Sequence, residues 1–147
     1  VRHALGLARQ FAFHPAYAIY EPGFPRLGAG LHLRCGCPAP VYRFMFTSDY
    51  SFGFPPEDYA MTAYLRLLDQ FAPGAQWMIG GLGVDVLPLI PRAVMVGGHV
   101  RVGLEDMTFG TDRSNVELVE AAVERIDNMG GTVADAASVR AALTVEV

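Results

Sequence analysis

The sequence contains no lysine and only two cysteines, and each shortage excludes a class of protein. All eleven basic residues are arginines spread along 147 residues, and fifteen acids bring the net charge to −4. Because no basic stripe is present to meet phosphates, we exclude nucleic acid as a partner. Cys35 and Cys37 are too few and too close together for a disulfide framework, which favours a reduced, cytoplasmic setting with two buried or partly buried thiols at a helix end.

Long apolar runs are also lacking. No stretch approaches the roughly 20 apolar residues of a membrane span, because Pro, Gly or a charge interrupts each candidate. The chain starts VRHALG, without a charged leader and apolar core, so no signal peptide is predicted, although this start fits an internal cut equally well. A hydrophobic content of 52% and a mean hydropathy of +0.27 indicate a globular, core-forming sequence, and 147 residues are enough for one ordinary domain.

Strand-like runs alternate with segments of helical period, which predicts βα units around a parallel sheet. The predicted strands are residues 16–21, 41–49, 76–83 and 99–106. Helices are predicted over 3–11, 26–34, from a start at 55–58 to about 72, irregularly over 84–98, from a capping box at Ser114 and Glu117 to Gly130, and over 132–143. Four βα units make half of a (β/α)8 TIM barrel, a fold of the α/β class. Since a half-barrel leaves two sheet edges unpaired, we expect a missing half or a second chain, and a homo-oligomer.

The last predicted strand, HVRVGLED, carries its charges on one face. Side chains alternate along a strand, so His99, Arg101, Gly103 and Glu105 share one face, whereas Val100, Val102, Leu104 and Asp106 share the other. A polar face is unusual in an open parallel sheet but fits the interior of a barrel, with the apolar face against the helices. For His99 we favour a hydrogen-bonded histidine over a metal ligand.

Two adjacent carboxylates end this strand, where barrel enzymes place catalytic groups. Such a pair needs a cation or a shared proton, because each charge raises the pKa of the other. Glu105 is thus a candidate ligand for a metal or a substrate cation, and Asp106 a candidate base. Arg101 lies roughly 13 Å from Glu105 along an extended strand, but its side chain is able to lean toward the rim. The alternative is a solvated strand end without function.

Further candidates follow the other strands. In GGLG, the exposed amides of Gly81 and Gly83 are candidates for binding a phosphate or carboxylate, and tight turning alone is the alternative. Glu21 and the pair Thr47 and Ser48 also stand where barrel sites are built, though for each of them taken singly we favour a structural role. The four histidines form no HxH or HxxxH pair, so no zinc site is predicted from them.

Several runs together resemble the beta-keto acid cleavage enzymes: GGHVRVGLED (97–106), WMIGGLGVDVLPL (77–89), YEPGF (20–24), RFMF (43–46) and SNVELVEAAV (114–123). The resemblance covers nearly the whole chain and implies a zinc-dependent (β/α)8 barrel, of which this chain supplies the C-terminal half, strands five to eight. It implies condensation of a beta-keto acid with acetyl-CoA, the co-substrate, to give acetoacetate and a new acyl-CoA.

The resemblance also implies roles for four residues. Glu105 matches the carboxylate that holds zinc with two histidines, Asp106 matches the base, and Arg101 matches the arginine that assists it in proton transfer. Glu21 aligns with a carboxylate on the fifth strand. The two histidines belong to the family's second strand, which this chain lacks. The sequence departs from the family pattern at Met107, where many members have Asn, and at 84–85, which replace an Arg-containing loop.

Two other functions remain open at this stage. The chain is alternatively a non-catalytic half-barrel fragment or assembly module, or part of a metal-dependent aldolase or isomerase on the same barrel. The metal site would distinguish the cleavage enzyme from a non-catalytic fragment or module. Dependence on CoA would distinguish it from an aldolase or isomerase.

Overall fold

A computed structural model describes residues 1–143 and contains a sheet of four parallel strands. The strands are β1 (Ala16–Ile19), β2 (Val41–Phe46), β3 (Trp77–Gly81) and β4 (His99–Val100). They lie side by side in the order in which they occur along the chain. The predicted α/β class is confirmed, and a sequentially ordered parallel sheet is consistent with part of a TIM-type barrel.

The helices follow the strands as the alternation predicts. They are α1 (Arg2–Phe11), α2 (Phe24–Cys35), α3 (Asp58–Phe71), α4 (Ile90–Met95), α5 (Asn115–Asp127) and α6 (Ala136–Leu143). A 3-10 turn at Leu87–Leu89 precedes α4, which makes this segment irregular as Pro88 and Pro91 suggest. The capping box is confirmed, since the Ser114 amide donates to Glu117 and the Glu117 amide donates to the Ser114 hydroxyl.

The two faces of the sheet have different surroundings. Ile19, Phe44 and Ile79 are paired across the sheet and buried in one core with side chains of α3, α4 and α5. The intervening residues of β2 and β3 point to the opposite face, which carries Arg43 and Gly80 among others. The helix-covered face therefore holds the main hydrophobic core, and Arg43 and Gly80 lie on the other face of the sheet.

The prediction of a strand over residues 99–106 is wrong beyond Val100. The ladder ends where the Arg101 amide donates to the Ile79 carbonyl, and Leu104–Asp106 form a 3-10 turn. The Asn115 side chain closes this turn, because its Oδ1 accepts from the Leu104 amide at 2.9 Å. Leu104, expected against the helices, is exposed instead, whereas Val100 and Val102 pack against the core as expected.

Two smaller predictions are confirmed by the coordinates. Cys35 is partly buried and Cys37 buried, both as free thiols at the end of α2, as expected. His99 is hydrogen-bonded to the Gln76 side chain at 2.9 Å. Between residues 1 and 143, no helix is both long and apolar enough to cross a membrane.

Candidate active site at the ends of the strands

An ion pair between Arg101 and Asp106 lies directly over β3. The Arg101 Nε lies 3.0 Å from Oδ1 and 2.9 Å from Oδ2 of Asp106, and Nη2 lies 2.9 Å from Oδ1. The Gly80 backbone forms the floor of this pair. A Cβ at Gly80 would stand 3.1 Å from the Asp106 Oδ1 and 3.6 Å from the Arg101 Nε. The site therefore exists because β3 carries no side chain at this point.

Asp106 is the most buried acid of the site, with a side chain that is 3% exposed. Burial raises the pKa of its carboxyl group above the ordinary value, while the Arg101 hydrogen bond, the Gly81 amide and the Arg101 charge oppose this shift. The Gly81 amide donates to Oδ1 at 2.7 Å. A carboxylate with a raised pKa, fixed by three donor groups, is suited to accept a proton from a substrate.

The two oxygens of Asp106 are not equivalent. Oδ1 accepts from the Gly81 amide and the Arg101 Nε and lies 2.9 Å from the Arg101 Nη2, whereas Oδ2 accepts from the Arg101 Nε alone. Since fewer donors compete at Oδ2, that oxygen is the better placed to receive a proton.

Glu105 lies beside this pair in a more open position. Its Oε2 accepts from the Arg101 Nη2 at 2.8 Å, and its side chain is 60% exposed. The 3-10 turn brings about this contact, because it shortens the distance that an extended strand would have kept between Arg101 and Glu105. The three charged side chains line an open hollow of about 320 Å3 together with Asn115.

The donor set for a metal is incomplete in this chain. Within residues 1–143, no group of three His, Cys, Asp or Glu side chains is arranged to hold a metal ion. Glu105 offers one carboxylate, and Arg101 already binds one of its oxygens. A tetrahedral zinc site normally needs three protein ligands or more, so the described residues alone do not fit the metal.

The glycine loop has a different role from the one expected of it. The Gly81 amide donates to Asp106 and the Gly83 amide to the Glu105 carbonyl at 3.1 Å, so neither is exposed to an anion. The Leu82 amide donates to the Phe46 carbonyl. The expectation of free amides is wrong at these positions, because the turn after β4 folds back over the loop. A part for Gly81 and Gly83 in coenzyme binding through other atoms stays a prediction.

Glu21 stands apart from the Arg101 group. It follows β1, which is the edge strand on the other side of the sheet from β4. Its Oε1 accepts from the Gly53 amide at 3.2 Å. Thr47 is buried and its amide donates to the Phe54 carbonyl, whereas Ser48 is exposed. The structure thus brings Arg101, Glu105 and Asp106 together. Glu21 also follows the carboxyl end of a strand, but it contacts Gly53 and not these three residues.

Sequence reasoning missed three contributors: the open floor at Gly80, the Gly81 amide, and the Asn115 side chain that closes the turn. The pair Gly80-Gly81 stands out in the sequence, but it suggests a site for a bound anion. In the structure these glycines contact the Asp106 carboxylate of the same chain. Asn115 gave no signal, because its partner lies eleven residues away at a backbone amide.

A buried acid held by an arginine at the carboxyl ends of parallel strands is typical of an enzyme site on a barrel-type fold. Comparison with known proteins agrees with that class. The sequence model of the beta-keto acid cleavage enzymes matches residues 1–145, and the chain belongs to this family.

Two curated relatives are similar over part of the chain. The 3-oxoadipate:acetyl-CoA acetyltransferase of Cupriavidus necator is 33% identical over 94 residues, which is 60% of this chain and 33% of the relative. The 3-keto-5-aminohexanoate cleavage enzyme of Fusobacterium nucleatum is 32% identical over 77 residues, 50% of this chain and 28% of the relative. The matched regions therefore span about a third of the length of these relatives.

Proposed function

We propose that this chain supplies strands five to eight of a (β/α)8 barrel that cleaves a beta-keto acid. The four strands lie in sequential parallel order, and the family match extends over residues 1–145. Residues 1–147 would then be the C-terminal half of a single barrel domain. Unpaired edges at β1 and β4 support completion by a further half.

The proposed reaction joins a beta-keto acid and acetyl-CoA to give acetoacetate and the acyl-CoA of the remaining chain. One relative is named as a 3-oxoadipate:acetyl-CoA acetyltransferase and the other as a 3-keto-5-aminohexanoate cleavage enzyme, so both names support a keto acid substrate. The observation that carries the proposal is the buried Asp106 carboxylate, held by Arg101 and Gly81 over the bare backbone of Gly80.

In this reaction Asp106 is the base. Its Oδ2 takes the proton that must leave before the carbon–carbon bond is exchanged, since Oδ1 already accepts two hydrogen bonds and lies against the Arg101 Nη2. Arg101 holds the carboxylate in place and keeps its charge near the reacting carbonyl, where positive charge favours an enolate-like state.

Zinc is part of the proposal, with Glu105 as one ligand and two histidines from outside the described residues. Bound there, zinc would act as a Lewis acid on the keto group. The exposed position of Glu105 is compatible with this role, because the carboxylate faces the open hollow rather than the core. A homo-oligomeric, cytoplasmic enzyme remains our prediction.

The proposal is tested by measuring acetoacetate. The complete polypeptide that carries this chain, loaded with zinc, is incubated with acetyl-CoA and a panel of beta-keto acids that includes 3-oxoadipate and 3-keto-5-aminohexanoate. We expect acetoacetate and an acyl-CoA in equal amounts, with neither formed when acetyl-CoA is left out.

The competing functions predict other results. A metal-dependent aldolase or isomerase would convert a substrate without acetyl-CoA. A non-catalytic assembly module would form no product with any member of the panel. Either result would overturn the proposed reaction.

A further inference from the structure

A hollow between α1 and α2 is lined by three arginines and one cysteine. Arg2 and Arg9 lie about two turns apart on one face of α1, and Arg34 and Cys35 come from the last turn of α2. The hollow is open and has a volume of about 350 Å3. We call Arg2, Arg9, Arg34 and Cys35 the arginine hollow.

The positive charge of the arginine hollow is not balanced by acids. Within residues 1–143, none of its three arginines forms an ion pair. Residues 1–48 contain five arginines and a single acid, Glu21, which follows the carboxyl end of β1. Guanidinium groups bind carboxylates and phosphates with paired N–H donors. The hollow is therefore suited to attract an anion.

The arginine hollow does not depend on the strands that would complete a barrel. Leu5 and Ala8 of α1 pack in one cluster with Leu31 and Cys35 of α2, so both walls belong to this chain. Helices lie on the outside of a barrel, and completion would add elements beside the free edge of β1. The seam between α1 and α2 would stay at the surface. Because Cys35 ends α2, it lies near the amino ends of the strands, away from the candidate active site.

The two cysteines differ in their surroundings. Cys37 is 4% exposed, packs with Leu5 and Ala8, and has its Sγ 3.9 Å from the His32 Nδ1. Burial raises the pKa of Cys37, and the charge of the nearby Cys35 adds to this shift, so Cys37 is held as a neutral thiol. Cys35 is only partly buried and lines the hollow. A partly exposed thiol in an electropositive environment is the usual setting of a reactive cysteine.

We propose that Cys35 is a site of thiol–disulfide exchange with small, negatively charged disulfides, which the three arginines draw into the hollow. The Cys35 thiol loses its proton, and its sulfur attacks one sulfur of the disulfide. A new S–S bond joins that half to Cys35, the old S–S bond breaks, and the other half leaves as a thiolate that takes up a proton. Cys35 is thereby oxidised, and one small thiol is released for each adduct.

The negative groups of such a disulfide are carboxylates, as in glutathione disulfide, or phosphates, as in the disulfide of CoA. Both are anions that an arginine binds. The inference does not rest on the proposed function, because the hollow contains none of the residues assigned to the reaction.

The first experiment compares disulfides of different charge. Cys37→Ala keeps a small apolar side chain in the buried cluster and prevents an internal disulfide from removing the adduct. The complete polypeptide with this substitution is treated with glutathione disulfide, CoA disulfide, neutral 2-hydroxyethyl disulfide or cationic cystamine. Mass spectrometry of the peptide that carries Cys35 gives the rate of adduct formation. Each rate is divided by that of 2-mercaptoethanol with the same reagent, which corrects for the reactivity of the disulfide itself.

We expect the corrected rate at low salt to be at least about tenfold higher for glutathione disulfide than for cystamine. Most of this ratio should be lost at about 0.5 M NaCl, because salt screens exposed charges. A faster reaction of CoA disulfide than of glutathione disulfide would identify phosphate as the preferred group, and the reverse would identify carboxylate; both orders support the proposal. Without Cys37→Ala, the sum of the adduct and the Cys35–Cys37 disulfide should give the same ratio.

The second experiment removes the arginines. Arg2→Gln combined with Arg34→Gln should reduce the ratio by about three- to tenfold. Arg113→Gln is the matched control, since Arg113 is exposed and lies outside the hollow, and it should leave the ratio as it is. A ratio near one with all arginines present, or a ratio that the double substitution leaves intact, would overturn the proposal. So would an adduct on Cys37 in Cys35→Ser that forms as fast as the adduct on Cys35.

Discussion

The side chain of Arg101 spans the two adjacent acids Glu105 and Asp106. Its Nη2 lies 2.8 Å from Glu105 and 2.9 Å from Asp106, and its Nε contacts both oxygens of Asp106. Asp106 is buried while Glu105 is exposed, so one arginine links a carboxylate in the interior to a carboxylate at the open hollow. Two neighbouring acids thereby acquire different environments, which is the basis for giving them different roles.

Asp106 makes the stability of the chain depend on pH. Burial raises the pKa of Asp106 in the folded state above the ordinary value of 3.8, so the folded state binds the proton more tightly than the unfolded state. The stabilisation from this proton is full below the unfolded pKa and is lost as pH rises through the folded pKa. Asp106→Asn cannot titrate, so the free energy of unfolding of the variant, relative to wild type, should rise across this window.

Urea unfolding of both proteins from about pH 3 to pH 7 measures this difference. Glu117 and Asp135 have lowered pKa values through hydrogen bonds with Ser114 and Ser138, and they give the opposite trend. Because both proteins retain these acids, their contribution cancels in the comparison. Parallel stability curves for wild type and variant would contradict the expected role of burial.

The bare backbone at Gly80 should be indispensable to the site. In Gly80→Ala, the new Cβ would stand 3.1 Å from the Asp106 Oδ1 and 3.3 Å from the Met45 Sδ, so the ion pair has to move. We expect a loss of about 1–3 kcal/mol in the free energy of unfolding, and up to about a hundredfold loss of kcat/KM in the complete enzyme. Urea unfolding and the acetoacetate assay measure the two effects.

Gly30→Ala is the control for Gly80→Ala. Gly30 lies inside α2, and a Cβ there has no atom within 4 Å outside its own helix. Alanine should stabilise this helix by up to about 1 kcal/mol and leave activity as it is. If Gly80→Ala behaved like Gly30→Ala, the floor of the site would not depend on glycine.

Local patterns predicted the sheet better than the site. The strands β2 and β3 were found within three residues at each end, because their apolar runs are bounded by proline and glycine. The alternation in HVRVGLED also looks like a strand, yet β4 ends at Val100 and the chain turns at Leu104–Asp106, where the Asn115 side chain accepts from the Leu104 amide. A contact between Leu104 and Asn115 produces no periodic pattern in the sequence. The geometry that joins Arg101 to the two acids could therefore not be predicted.

The grouping of Glu105, Asp106 and Arg101 was expected from the sequence, although the way in which they meet was not. In an extended strand Arg101 and Asp106 would lie on opposite faces, whereas the turn at Leu104–Asp106 places all three charged side chains around one hollow. On α5, helical spacing was correct, but Val116 and Val119 are exposed while Leu118 and Ala122 face the core. The spacing of apolar residues predicts that a helix forms. The face of the helix that is buried depends on the elements that pack against it.

The capping box should contribute measurably to α5, which carries Asn115. In Ser114→Ala the Glu117 amide loses its acceptor and the Glu117 side chain loses a donor. We expect the free energy of unfolding to fall by about 1 kcal/mol. Ser48→Ala, at an exposed serine outside any helix, serves as control and should change stability far less. Equal effects in thermal or urea unfolding would count against the cap.

Separate roles for Glu105 and Asp106 predict a split between zinc affinity and turnover. In the complete enzyme, Glu105→Gln should weaken zinc binding at least tenfold in competition with a chelator, because a neutral amide replaces a charged ligand. Asp106→Asn should keep its zinc and lose turnover, because the amide cannot accept the proton. Glu120→Gln, an exposed acid on α5, is the control and should change neither. Turnover retained in Asp106→Asn would remove Asp106 from the base role, and stoichiometric zinc on the isolated 147-residue chain would show that Glu105 needs no histidines from elsewhere.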